Sequence, residues 1–310
     1  MNSADPDCES ACIVVDNIAK TYDTVQVVSG LSFTVNGGEI FGLLGPNGAG
    51  KTTTIRMMLQ MISPNSGSVK VFGAELSEKT KEWVGYLPEE RGLYENLSVM
   101  ENISYIASLR GADKDKAEKV ALGLLYEVGL EDYVDKKVGK LSKGMKQLVQ
   151  LISTIVHDPS LLVLDEPFSG LDPSNREVVK KIILEQKKNG KTIVLSTHMM
   201  NEVEEICDRI VVVDRGRRIL YGRVDDIKHR YATHSIYLEF SGKLPELDGV
   251  ETQVVKKNTA DLRLRIDVSP QSIFKQLANT NIKIKRFDVK EISLNQVFIE
   301  LVGAEKKWVK

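Results

Sequence analysis

The octet GPNGAGKT, Gly45 to Thr52, constrains this chain more than any other feature. It fits the spacing G-x-x-x-x-G-K-T and sits in the context that spacing requires. The nearly continuous apolar run GEIFGLLG precedes it, as a buried parallel strand would, and the helical TTIRMML follows. Gly45, Gly48 and Gly50 let backbone N–H groups converge on phosphate oxygens with no side chain in the way. The helix N-terminus adds partial positive charge. Lys51 is placed to reach β- and γ-phosphates and the Thr52 hydroxyl to ligate Mg²⁺, with Asn47, Ala49 and Thr53 completing the loop. A plain glycine-rich turn is the competing reading, and the full pattern in its context disfavours it.

A second apolar run, LLVLDEP, ends in two acids. Asp165 closes the strand, where it can hold Mg²⁺ through water. Glu166 follows and can act as general base on an attacking water. Two acids after a strand are usually an exposed turn, but an upstream phosphate loop changes the balance.

The chain's 310 residues suffice for two domains. CIVVDNIAKTY and VVSGLSFTV alternate as antiparallel strands, and RIVVVDRGRRILYG reads as a hairpin turning at Gly216. Helical periodicity runs from LSVMENISYIASLRG to IVHDPS, with Leu122, Leu125 and Val128 at core spacing. PSNREVVKKIILEQKKNG is a helix between the strands LLVLDEP and KTIVLST. After about residue 230 the style changes. SIYLEF, DLRLRIDV and NIKIKRFDV alternate with period two. Ser269 caps a helix with Pro270 at its first position, and Ser293 caps LNQVFIELV. The expected organisation is a polar tail at 1–11, a main domain at 12–230 and a small α+β domain at 231–310.

A formal net charge of −1 argues against bulk electrostatic binding of nucleic acid. Cys8, Cys12 and Cys207 form neither a zinc set nor a disulfide framework, and read as free thiols in a reducing compartment. The acidic start is no signal peptide, and no apolar run approaches ~18 residues, so the expectation is a cytoplasmic protein that reaches a membrane only through a partner.

These motifs together resemble the ABC (ATP-binding cassette) ATPases over about residues 12–222, in that family's order. GPNGAGKT resembles Walker A and LLVLDE resembles Walker B. LSKGM (141–145) stands where the LSGGQ signature belongs, and SGLD (169–172) resembles the D-loop. His198 in STH resembles the switch histidine, and Tyr22 in AKTYD stands where an aromatic ring stacks on adenine. A lone histidine or tyrosine so placed is more often structural; in register, the motifs support one another. The resemblance implies an α/β, P-loop ABC ATPase core with an antiparallel β-subdomain and a helical lobe at about 90–160. It implies Mg-ATP hydrolysis, with Glu166, His198 and Glu89 as catalytic residues and Thr52, Asp165 and Glu89 as metal-facing ones. It also implies a head-to-tail homodimer, in which Ser142 and the Gly144 N–H of one chain close over ATP held by the other and Asp172 of SGLD faces the nucleotide.

Two departures stand out. The signature reads Ser-Lys-Gly-Met, so Lys143 adds a cation whose readings, solvated or phosphate-bound, both stay open. Glu89 in GYLPEERGLY replaces the usual glutamine; a carboxylate ligates Mg²⁺ well but cannot donate to the attacking water. YLPEERGLY, LSKGM and KRFDVKEISLNQVFIELV are similar to one exporter subgroup, the NatA-type sodium and drug-export ATPases. That implies a separate ABC-2-type membrane permease and a place on the cytoplasmic face of the membrane. The competing readings are a soluble ABC-type ATPase acting on a ribosome or DNA, and a nucleotide sensor without turnover.

Overall fold

The computed structural model describes residues 11–301 apart from Arg91, 232–234, Ile266, 291–292 and 299–300. Residues 1–10 of the expected polar tail, Cys8 among them, lie outside the described residues, and Ala11 begins the first strand. The chain divides into two compact units, at Arg223 and Val224. The composition change at about 231 therefore follows the division by one helix, because the charged VDDIKHRY looks like neither neighbour.

The first unit runs β1 (Ala11–Tyr22), β2 (Val25–Asn36), β3 (Ile40–Leu44), α1 (Lys51–Met58), β4 (Ser66–Val71), α2 (Glu78–Lys81), β5 (Val84–Leu87), α3 (Val99–Leu109) and α4 (Lys114–Glu127). It continues with α5 (Lys143–Ile155), β6 (Leu161–Asp165), α6 (Pro173–Lys188), β7 (Thr192–Thr197), α7 (Met200–Ile206), β8 (Arg209–Asp214) and β9 (Arg217–Arg223). Six strands form one sheet in the order β5-β6-β7-β3-β8-β9, parallel except for the β8–β9 hairpin. β3, β6 and β7 are buried at every residue, which explains their unbroken apolar runs. A separate antiparallel sheet, β2-β1-β4, shares a core with α1 that includes Ile13, Leu31, Phe33, Phe41 and Ile55. The sequence reading of an α/β core with an antiparallel subdomain holds.

Helices α3, α4 and α5 pack on one another. On α4 the buried stripe is Ala117, Ala121 and Leu125, whereas Leu122 is 49 % exposed. The expected Leu122–Leu125–Val128 face is thus corrected: Leu125 is buried as expected, but it shares its stripe with Ala117 and Ala121, whose small side chains allow the close approach, and not with Leu122. No helix among the described residues is long and apolar enough to cross a membrane.

The second unit comprises α8 (Val224–Tyr231), β10 (Ser235–Ser241), β11 (Val250–Lys256), β12 (Thr259–Leu264), α9 (Pro270–Ala278), β13 (Lys283–Lys290) and a helical turn from Leu294. Its sheet order is β11-β12-β10-β13, antiparallel throughout. Ile236, Leu238, Phe240, Leu262 and Leu264 are buried with Ile273 and Leu277 of α9. Ser269 and Ser293 accept hydrogen bonds from the backbone N–H groups of Ser272 and Gln296, capping their helices as the sequence suggests.

Candidate functional site

Three neighbouring strands aim their C-terminal ends at one place. The register pairs Leu44 of β3 with Thr197 of β7, and Ser196 of β7 with Asp165 of β6. The loop 45–50, the acids 165–166 and His198 are therefore brought together, at a crevice typical of ligand sites in open α/β sheets.

The loop takes its shape from glycine. Gly50 has φ +100°, and a Cβ there would lie 2.7 Å from the Val27 carbonyl. A Cβ on Gly45 would lie 2.1 Å from the Val213 carbonyl. The Gly216 N–H donates to the Ala49 carbonyl, so the β8–β9 turn props the loop from behind. Gly50 caps α1 without a side-chain hydrogen bond, which leaves the first-turn N–H groups for an outside anion. The exposed Asn47 and Gly48 form the loop tip, and Thr52 and Thr53 are half-buried.

Lys51 is buried and donates to the carbonyls of Gly45 (2.9 Å) and Pro46 (3.3 Å). Its ammonium also lies 3.2 Å from Glu166 Oε1. His198 Nδ1 lies 3.1 and 3.0 Å from the two Glu166 carboxylate oxygens. Glu166 adopts φ +51°, a conformation costly for a side chain with a Cβ. Its N–H donates to the carbonyl and hydroxyl of Ser196, both at 3.1 Å, which holds that conformation. Ser196 was not anticipated from the sequence; only the β6–β7 register reveals it.

Asp165 is fully buried, and the Ser196 hydroxyl donates to its Oδ1. Burial raises its carboxyl above the ordinary range, while the Ser196 and Thr52 hydroxyls work against that rise. Burial and then the Asp165 carboxylate push the nearby Tyr86 phenol up to about 12. Asp165 Oδ2 has no hydrogen-bond partner among the described residues. An orphaned carboxylate oxygen near a threonine hydroxyl fits a hard divalent cation that keeps further oxygen ligands from water and phosphate.

A cavity of about 510 Å³ beside Glu166 is also lined by Glu89, Glu90, Lys143, Gln147 and Ser169. Glu89 and Glu166 thus face one space. Ser142 accepts from the Met145 N–H and caps α5, leaving its own proton for an outside acceptor. The exposed Lys143 side chain lies over Gly170, where a Cβ would come within 2.6 Å of its Nζ. Lys143 therefore covers the SGLD segment of its own chain. Gly144 adjoins Asn175, whose N–H and amide both bond the Asp172 carboxylate. Asp172 is thus the N-cap of α6, and those bonds, the Asn175 N–H first, lower its pKa. Tyr22 is 43 % exposed at the end of β1, paired with Val25, with Lys20 over its ring. That end of the hairpin is close to Val27, the residue that abuts Gly50. Cys12 and Cys207 are buried.

Comparison with known proteins gives this geometry a family. A family model described as ABC transporter matches residues 28–169, and one described as ATP-binding protein DrrA1-3-like, C-terminal domain, matches residues 222–302. The chain is 39 % identical to an uncharacterised ABC transporter ATP-binding protein, YhaQ of Bacillus subtilis, over 94 % of this chain and 99 % of that one. It is 33 % identical to the linearmycin resistance ATP-binding protein LnrL of Bacillus subtilis, over 93 % and 97 % of the two chains. It is 34 % identical to a Nod factor export ATP-binding protein I of Rhizobium etli, over 93 % and 92 %. Among solved structures, an ATP-binding subunit of an ABC transporter superposes with a TM-score of 0.66 at 33 % identity, over 71 % of this chain and 93 % of that chain. Identity sustained along almost the whole length of such relatives settles the assignment: the chain belongs to the ATP-binding proteins of ABC transporters, which are ATPases.

Proposed function

We propose that this ATPase powers an exporter, as a homodimer on the cytoplasmic face of the membrane beneath a separate permease of the ABC-2 kind. The observation that carries the reading is the convergence of Lys51, Glu166 and His198 at the phosphate loop. Lys51 and the loop N–H groups hold the triphosphate, and Tyr22 offers its ring to the adenine. Thr52, Asp165 and Glu89 would hold Mg²⁺, which would screen the phosphate charge. Glu166 accepts a proton from the attacking water while His198 orients its carboxylate. Ser142 and Gly144 of one chain, with Asp172 beside them, close over the nucleotide of the other. Hydrolysis then weakens that closure, a population shift able to drive a partner.

The linearmycin resistance and Nod factor export relatives support an export role. They favour a drug-like compound over sodium ions as cargo. The reading as a ribosome- or DNA-acting ATPase gains no support from relatives named as transporter proteins. The test is co-purification from detergent-solubilised membranes. Recovery of a polytopic subunit whose presence stimulates ATP hydrolysis is expected; recovery of ribosomes or DNA instead would reject the exporter.

A further inference from the structure

Helix α5 buries two glutamines that the scheme above leaves unused. Gln147 and Gln150 are 5 % and 4 % exposed. They lie three residues apart, on one face of the helix. Gln147 Nε2 donates to the carbonyl of Pro167 at 3.3 Å, the residue directly after Glu166. Gln150 Nε2 donates to the carbonyls of Pro88 (3.5 Å) and Glu90 (3.3 Å), the two residues that flank Glu89. One helix face therefore grips the backbone carrying each of two carboxylates, and both carboxylates line the same cavity.

Packing alone does not account for this choice. The neighbours Leu148, Val149, Leu151 and Ile152 are buried apolar residues, and an apolar side chain at 150 would avoid the desolvation of an amide. Gln150 Oε1 is buried without a hydrogen-bond partner among the described residues, so the amide is only half satisfied. A buried polar group kept at that cost calls for an explanation, and its two donor contacts supply one. At the start of the same helix, Lys143 covers Gly170 and Gly144 adjoins Asn175. α5 thus touches the segment after Glu166 at successive turns and the Glu89 loop at Gln150.

We propose that Gln150, together with Gln147, is a positioning residue: α5 is a strut that sets the placement of Glu89 and Glu166 across the cavity, so that a displacement of the signature turn moves both carboxylates together. The inference rests on the reading of Glu166 as general base and Glu89 as metal-facing. Gln150 itself touches neither nucleotide nor metal in this account.

The experiment measures ATP hydrolysis by the full-length chain across ATP and Mg²⁺ concentrations. Gln150→Met keeps length and apolar packing and removes both N–H donors. Misplacing a reacting group costs up to about 100-fold. Gln150 holds the loop of Glu89, which is not the base, so kcat is expected to fall by only about 3- to 10-fold, not by a large margin more than in Glu89→Gln. KM for ATP should stay within about twofold, because ground-state binding is untouched. The Mg²⁺ activation curve should shift in the same direction as in Glu89→Gln. The double variant should be no worse than the more impaired single variant, since both act on one carboxylate. A Gln150→Met protein with wild-type kcat and a wild-type Mg²⁺ curve overturns the proposal, whatever its melting temperature. Independent, additive losses in the double variant overturn it as well. If the methionine variant fails to fold, Gln150→Asn keeps the amide but shortens its reach, and the same two measurements decide. If Glu166→Gln alone left turnover intact, the general-base reading would be the one to fail; the Mg²⁺ curve of the Gln150 variant would still decide the strut.

Discussion

The Lys51 ammonium sits 3.2 Å from the Glu166 carboxylate, with both side chains almost fully buried. A triphosphate offers Lys51 more negative charge than one carboxylate does. Nucleotide binding is therefore expected to draw Lys51 toward the phosphates and leave Glu166 to the attacking water. Lys51→Ala should abolish hydrolysis and weaken ATP binding severely in a folded protein. Phosphate release and equilibrium binding measure both effects; near-normal turnover in a folded variant would remove the phosphate-loop argument.

Glu166→Gln keeps the shape of the side chain and removes its basicity. Loss of a general base typically costs about 10²–10⁴-fold in rate, and that fall is expected here. Lys51 no longer has a carboxylate competing with phosphate, so ATP should bind at least as tightly as to wild type. An ATP-bound dimer should accumulate, visible by size-exclusion chromatography with and without Mg-ATP. A monomer under both conditions at high protein concentration would count against the ATP sandwich.

Glu89 is exposed on the cavity wall. A carboxylate there favours metal binding but cannot donate a hydrogen bond to water. Glu89→Gln should keep substantial activity and shift the Mg²⁺ and Mn²⁺ concentration dependence. Identical curves for variant and wild type at every metal concentration would make Glu89 a simple surface residue.

Lys180 fastens α6 to α7, the helix after His198. Its ammonium lies 2.5 Å from Glu202, 2.5 Å from Glu205 and 3.0 Å from Glu177. Burial alone would lower its pKa, but the three carboxylates outweigh that and raise it. A lysine raised above its unfolded value of about 10.4 contributes stability that is full below that pH and lost as pH climbs through the folded value. Lys180→Met leaves Glu202 in a buried site with the more distant Arg176, 3.7 Å away, as its cationic partner among the described residues. The expected cost is about 3 kcal/mol, the low end for breaking a buried pair. Thermal melts should show a constant deficit near neutral pH that shrinks above about pH 10.4. Equal melting temperatures at neutral pH would show the network to be dispensable.

The strand–loop–helix at the phosphate loop was legible because its signals are local: an apolar run, glycines and a helix start within a few residues. The same holds for the helix capped by Ser269. Ser196 was not legible, because its contact with Asp165 depends on the register of parallel strands thirty-one residues apart. Gln147 and Gln150 were hidden for a like reason, since their partners are loop carbonyls that folding alone brings near. β11 escaped because VETQVVK is exposed from Glu251 to Lys256, so no apolar face marks it as a strand. Asp172 was readable as part of SGLD, yet its cap on α6 also follows from Pro173 at the first helical position.

The second unit yields the last prediction. Its sheet buries one apolar face under α9 but ends in two edge strands, β11 and β13. Val254 and Val255 of β11 and Val289 of β13 are about half exposed. Exposed apolar edges invite pairing with another chain. A unit of this size is also marginal alone. The expected role is to hold two chains together between ATP-driven closures, so that the cassettes reopen without separating. The cut that tests it falls after Arg223, since Val224–Tyr231 belongs to the second unit. The truncated chain should be monomeric without nucleotide, and its ATP hydrolysis should rise more steeply with protein concentration than that of the full chain. Light scattering and activity across a dilution series measure both. A truncated protein that stays dimeric without nucleotide and hydrolyses ATP as before would confine the second unit to packing within its own chain.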